Sequence, residues 1–139
     1  ITITGHDASR WSLYEQQLYD KVLLDAPCSS ERHVLSDTKA LQQWSKARPK
    51  HLSVMQFAML ASALEAVKIG GLILYSTCSI NPMENQQVIE KLEKKRKGRF
   101  VLESISLPQA EPLSYGCITL PDSASGKGPL YVCLIRRLV

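Results

Sequence analysis

Two apolar runs of strand character, Val22-Leu23-Leu24 and Leu72-Ile73-Leu74-Tyr75, flank a long helical stretch, and each runs directly into a cysteine cluster. The clusters are Asp25-Ala26-Pro27-Cys28-Ser29 and Ser76-Thr77-Cys78-Ser79. Consecutive apolar residues without alternation suit parallel strands covered on both faces. Between them, residues 53–68 read as a helix: Ser53 is the N-cap, Val54, Phe57, Met59, Leu60, Leu64 and Val67 form an apolar face, and Gly70-Gly71 ends it. Strand, helix and strand in this order predict a βαβ unit with a right-handed crossover. Both thiols and the Asp25 carboxylate then stand at the carboxyl ends of strands, where open α/β sheets bind ligands.

Around this unit the pattern is plainer. Residues 1–4 alternate as a strand end, and residues 5–10 form a polar loop. Residues 29–50 are polar, with helical character at 39–44 and a break at Pro49. Asn81-Pro82 opens a second helix with Val88, Ile89 and Leu92 on its apolar side, closed by the basic run at 94–99. Cations there complement the helix dipole, with RNA contact as the alternative. Strands at 100–107, 117–120 and 130–134 predict a sheet finished by an antiparallel hairpin. One partial α/β domain over 1–139 is the expected organisation, and no apolar stretch reaches the roughly 20 residues of a membrane span.

Cysteines at 28, 78, 117 and 133 include no Cys-x-x-Cys pair, and no paired histidines accompany them, so no metal site is expected. They read as reduced thiols of an intracellular protein. Cys78, among hydroxyls and ahead of a helix, has surroundings that favour thiolate; simple burial is the alternative for it and for Cys28. Asp25 is the more telling residue, since a carboxylate ending an apolar run needs a partner. A cysteine hydrolase needs a histidine beside the thiol, and only His6, His33 and His51 are available. Gly70-Gly71 is no phosphate-binding series. A net charge of +4 fits nucleic-acid contact and much else.

Taken together, Asp25-Ala26-Pro27-Cys28-Ser29, Tyr75-Ser76-Thr77-Cys78-Ser79 with Glu84-Asn85, and Leu120-Pro121-Asp122 with Gly128-Pro129-Leu130-Tyr131 resemble the Fmu/Sun family of RNA 5-methylcytosine methyltransferases. The resemblance implies the carboxyl-terminal half of a class I, Rossmann-like domain that uses S-adenosylmethionine. It implies Cys78 as the nucleophile on carbon 6 of cytosine, and Asp25 as the carboxylate on the base edge close to the cofactor. Cys28 is implied as the thiol that assists loss of the carbon 5 proton and release of the product, and Asp7 as the acidic contact to the cofactor's adenine.

Residues 29–33 and 128–137 look most like the mitochondrial members. That implies ribosomal or transfer RNA as substrate, a helical-repeat protein as partner in one branch, and the mitochondrial matrix ahead of cytoplasm or nucleolus. The family's glycine-rich cofactor loop is expected before Ile1, so the 139 residues by themselves are expected not to methylate RNA. A non-catalytic RNA- or protein-binding remnant is the rival reading. A DNA cytosine methyltransferase is a third, but there a single Pro-Cys motif supplies the nucleophile.

Overall fold

A computed structural model describes all 139 residues. A 3-10 helix, Ala8–Leu13, precedes β1, Tyr19–Asp25. Three helices follow, α1 Glu31–Ser36, α2 Thr38–Gln42 and α3 Ala47–Ala66. Then come β2 Val67–Thr77, α4 Gln86–Lys95, β3 Phe100–Glu103, β4 Glu111–Pro112, β5 Cys117–Thr119 and β6 Leu130–Arg137. The six strands form one sheet in the order β1-β2-β6-β5-β4, with β3 also on β6. Only β1 and β2 are parallel; every other pairing is antiparallel.

The predicted strand-helix-strand unit is present, with corrected boundaries. Helix α3 starts at Ala47, so Pro49 lies in its first turn, where backbone N–H groups have no intrahelical partner to lose. The proline therefore does not break the helix. Ser53 is no N-cap: it sits inside α3 and its hydroxyl donates to the Lys50 carbonyl. Gly70-Gly71 does not end the helix either. The C-cap is Val67, already extended, and both glycines lie within β2.

They are needed there because the β1–β2 register slips. Tyr19 pairs with Val67 and Lys21 with Leu72, so β2 carries extra residues against Asp20. Gly70 takes the left-handed conformation at φ 80°. A Cβ on Gly71 would lie 2.8 Å from the Asp20 carbonyl oxygen. The bulge selects glycine at both positions.

Elsewhere the differences are smaller. Residues 1–4 are exposed and in no strand, the strand expected over 100–107 stops at Glu103, and β4 was not foreseen. Strand β1 is the sheet edge and not covered on both faces: Val22 and Leu24 pack on the core, while Leu23 is 68% exposed. A hollow of about 280 Å³ between β1, the 3-10 helix and α3 is lined by Trp11, Val22, Leu24, Met59 and Ala63.

The core lies between the sheet and the pair α3 and α4, with Leu60, Leu64, Ile73, Ile89, Leu92 and Ile135 fully buried. Burial of each such side chain stabilises by about 1.5–3 kcal/mol. Arg137 holds the end of α3, donating to the carbonyls of Leu64, Glu65 and Val67. Leu64 and Glu65 are among the last four carbonyls of α3, which have no partner within the helix, and Glu65 also accepts the Gln17 N–H at 3.0 Å. No helix is long and apolar enough to cross a membrane.

Candidate active site

Parallel pairing of β1 with β2 sets Asp25 opposite Ser76, and the ladder continues one step as the Ala26 N–H donates to the Ser76 carbonyl at 2.9 Å. Both chains then turn away as loops from the same end of the sheet. Cys28 and Cys78, 50 residues apart, meet there with their Sγ atoms 2.8 Å apart. The Cys78 N–H also points at Cys28 Sγ, at 3.3 Å. Cys28 is half-buried and Cys78 exposed.

A buried carboxylate joins the two loops. Glu84, fully buried, accepts the Ser29 N–H at 2.9 Å, the Gln56 amide at 3.0 Å, and the hydroxyls of Ser29 and Ser79. Glu31 approaches the same two hydroxyls from the other side and accepts the Ile80 N–H at 3.1 Å. Each hydroxyl carries one proton and serves one carboxylate at a time. Gln56 reaches from α3 to donate also to the Pro27 carbonyl at 2.8 Å. Asn85 donates to the Ser79 carbonyl, and the Tyr75 hydroxyl donates to the Glu84 carbonyl.

The electrostatics separate the two thiols. Burial pushes the Cys28 thiol up to about 11, and its hydrogen bond with Cys78 acts in the same direction. At neutral pH Cys28 is therefore protonated and available as a donor. The other two cysteines belong to the sheet interior: Cys117 and Cys133 are buried, and burial pushes Cys133 up to about 12.

Of the four residues singled out in the sequence, three come together. Cys28, Cys78 and Asp25 share one sheet end, Asp25 accepting the Ser76 hydroxyl through Oδ1 and leaving Oδ2 free. Asp7 is placed differently, as the N-cap of the 3-10 helix, where its Oδ1 accepts the N–H and hydroxyl of Ser9. Those two bonds hold its carboxyl below the usual range. Its Oδ2 is likewise free of these bonds.

His33 lines the recess beside Cys78 but hydrogen-bonds to neither sulfur, so the hydrolase pairing is not formed. Sequence reasoning missed Ser30, Glu31 and Gln56. Gln56 left a faint signal, a polar side chain in a largely apolar helix; the other two left none, because their partners lie 48 residues away at Cys78 and Ser79.

The family model of the 16S rRNA methyltransferases RsmB/F matches residues 1–135. The chain belongs to this family. It is 32% identical over 151 residues to a mitochondrial tRNA (cytosine(34)-C(5))-methyltransferase of Danio rerio, covering 99% of this chain and 41% of that protein. It is 36% identical over 113 residues to ribosomal RNA small subunit methyltransferase F of Aeromonas salmonicida, covering 80% of this chain and 24% of that one. The chain thus spans less than half the length of these curated relatives. The solved structure of NSun6 from Pyrococcus horikoshii with SFG superposes with a TM-score of 0.79 at 22% identity, over 99% of this chain and 35% of that one, and bears out the α/β methyltransferase fold.

Proposed function

We propose that this chain carries the cysteine-bearing half of a site that transfers a methyl group from S-adenosylmethionine to carbon 5 of a cytosine in ribosomal or transfer RNA. The observation that carries the reading is the meeting of two thiols and a carboxylate, from two motifs 50 residues apart, at the carboxyl end of one parallel strand pair. The relatives' names, covering both tRNA and rRNA, support the substrate class. One of those names also supports a mitochondrial setting.

Carbon 5 of cytosine is a weak nucleophile, and a thiolate added to carbon 6 makes it enamine-like. Cys78, the more exposed of the two cysteines, is the group placed to add: its electron pair forms the S–C6 bond and the ring's C5=C6 pair moves onto carbon 5. Carbon 5 commits that pair to the new bond with the methyl group; when the carbon 5 proton then leaves, the C5–H bond pair re-forms C5=C6 and the S–C6 pair departs with the Cys78 sulfur. Cys28, held against Cys78 and protonated at rest, assists this release by passing its proton to the departing Cys78 sulfur and taking up the carbon 5 proton in exchange. Asp25 offers Oδ2 to the amino edge of the base.

S-adenosylmethionine, when bound, supplies the methyl group as an electrophilic sulfonium. The donor set suits it: Asp7 and Asp25 each present one carboxylate oxygen not taken by Ser9 or Ser76, suited to the N–H and O–H groups of a nucleoside. For RNA, the half-exposed Trp44 and the cation Arg48 line a recess with Ser29 and Ser30, an arrangement suited to a stacked base and its phosphate.

The test is on the full-length protein. Cys78→Ala is expected to abolish methylation, and Cys28→Ala to trap an RNA adduct that survives denaturation; the reverse pattern exchanges the two roles and sinks this assignment. A second reading, in which the 139 residues alone only bind RNA or protein, is favoured by their matching no more than 41% of the Danio rerio relative. Calorimetric titration with S-adenosylmethionine separates the two. Silence from the 139-residue chain beside clear binding by the full-length protein supports the binding remnant.

A further inference from the structure

Ser30 occupies the N-cap of α1, where a serine hydroxyl ordinarily accepts a hydrogen bond from the first turn of the helix. Here it makes no such bond. The carbonyl does its share, accepting the Val34 N–H at 3.0 Å, but the hydroxyl is turned away from the helix and toward the sulfurs. Ser30 Oγ lies 3.1 Å from Cys78 Sγ and 3.6 Å from Cys28 Sγ.

The backbone is unusual at the same residue. Ser30 has φ 53° and ψ 60°, the left-handed region that non-glycine residues seldom adopt. Such a conformation persists when its neighbours over-determine it. They do so on both sides: Ser29 is held through its N–H and hydroxyl by Glu84, and Arg32 donates to the carbonyls of Gly126 and Gly128. A relaxed backbone and a satisfied helix cap are both given up, and the one gain visible at this residue is a hydroxyl against Cys78.

We propose that the Ser30 hydroxyl donates its proton in a hydrogen bond to Cys78 Sγ and holds that sulfur as an oriented thiolate, ready to add to the base. The inference rests on the reading of Cys78 as the attacking sulfur. A thiolate has no proton to give, so between Ser30 Oγ and a charged Cys78 Sγ the hydroxyl must be the donor. Cys28, protonated at neutral pH, supplies a second donor from the other side at 2.8 Å. Two donors fix the direction of the sulfur lone pairs and favour the charged form over the thiol.

The informative variant is Ser30→Gly, because glycine removes the hydroxyl while accepting the left-handed backbone without strain. In the full-length protein, the pH dependence of Cys78 alkylation by iodoacetamide, read by peptide mass mapping, is expected to move up by about one pH unit, equivalent to roughly tenfold less thiolate at a fixed pH below the midpoint. Methylation of the RNA substrate is expected to fall by at least as much in kcat, with little change in KM. An unchanged alkylation midpoint overturns the proposal, whether or not methylation falls. Failure of the underlying reading looks different: Cys78→Ala would still methylate RNA, while the Ser30→Gly shift in alkylation would persist as a property of the thiol alone.

Discussion

The Ser29 N–H donates to the Glu84 carboxylate at 2.9 Å, so the residue after Cys28 is anchored by a side chain from the loop that follows Cys78. Glu84 also accepts Gln56 of α3 and the Ser79 hydroxyl. One buried carboxylate thereby sets the distance between the two cysteine loops. A polar group in the interior is tolerated because it collects donors from three segments of chain.

Replacing Glu84 should loosen the site as well as the fold. Glu84→Ala leaves the Ser29 N–H without an acceptor in the interior and the Gln56 amide with the Pro27 carbonyl alone, and a loss of about 3 kcal/mol in urea unfolding is expected. Glu84→Gln keeps the volume but points an NH₂ group toward donors, and should retain most of the stability while slowing methylation. If Glu84→Ala unfolds at the wild-type urea midpoint, the carboxylate does not hold the loops.

The two glycines of β2 should differ in cost. On Gly71 a Cβ meets Val67 Cγ2 at 2.7 Å and the Asp20 carbonyl oxygen at 2.8 Å, so Gly71→Ala must move the bulge and should cost about 2–3 kcal/mol. At Gly70 nothing lies within 4 Å, and only the left-handed backbone opposes a side chain. Gly70→Ala should cost about 1 kcal/mol. Thermal unfolding of both variants tests the order, and equal costs would refute the close approach of Asp20.

Raising the pH should weaken the fold through Cys28. Its thiol has a higher pKa in the folded chain, about 11 against an ordinary 9.0, so the folded state holds the proton more tightly than the unfolded state. The contribution is fully present below pH 9.0 and is lost as pH climbs through about 11. Urea midpoints between these limits should fall less steeply in Cys28→Ala than in wild type. Parallel curves would show that burial and Cys78 do not raise the Cys28 thiol.

The sequence alone determined the local elements that announce themselves by pattern. An unbroken apolar run before each cysteine motif marked β1 and β2, a long apolar face marked the body of α3, and the motifs marked the family. Boundaries failed where two readings share one residue. Pro49 signals both a helix break and a helix start, and the start of α3 at Ala47 decided it; Gly70-Gly71 signals both a C-cap and a bulge, and the slip in register between Tyr19 and Lys21 decided that. The same holds for the site. Asp25, Cys28 and Cys78 were legible because each ends a strand or follows within three residues of one, whereas Ser30, Glu31 and Gln56 meet partners across the site that lie 28 to 49 residues away in the chain. Hydrogen bonds of that range carry no periodicity along the chain. They exist only once parallel pairing of β1 and β2 has brought the two cysteine loops to one end of the sheet.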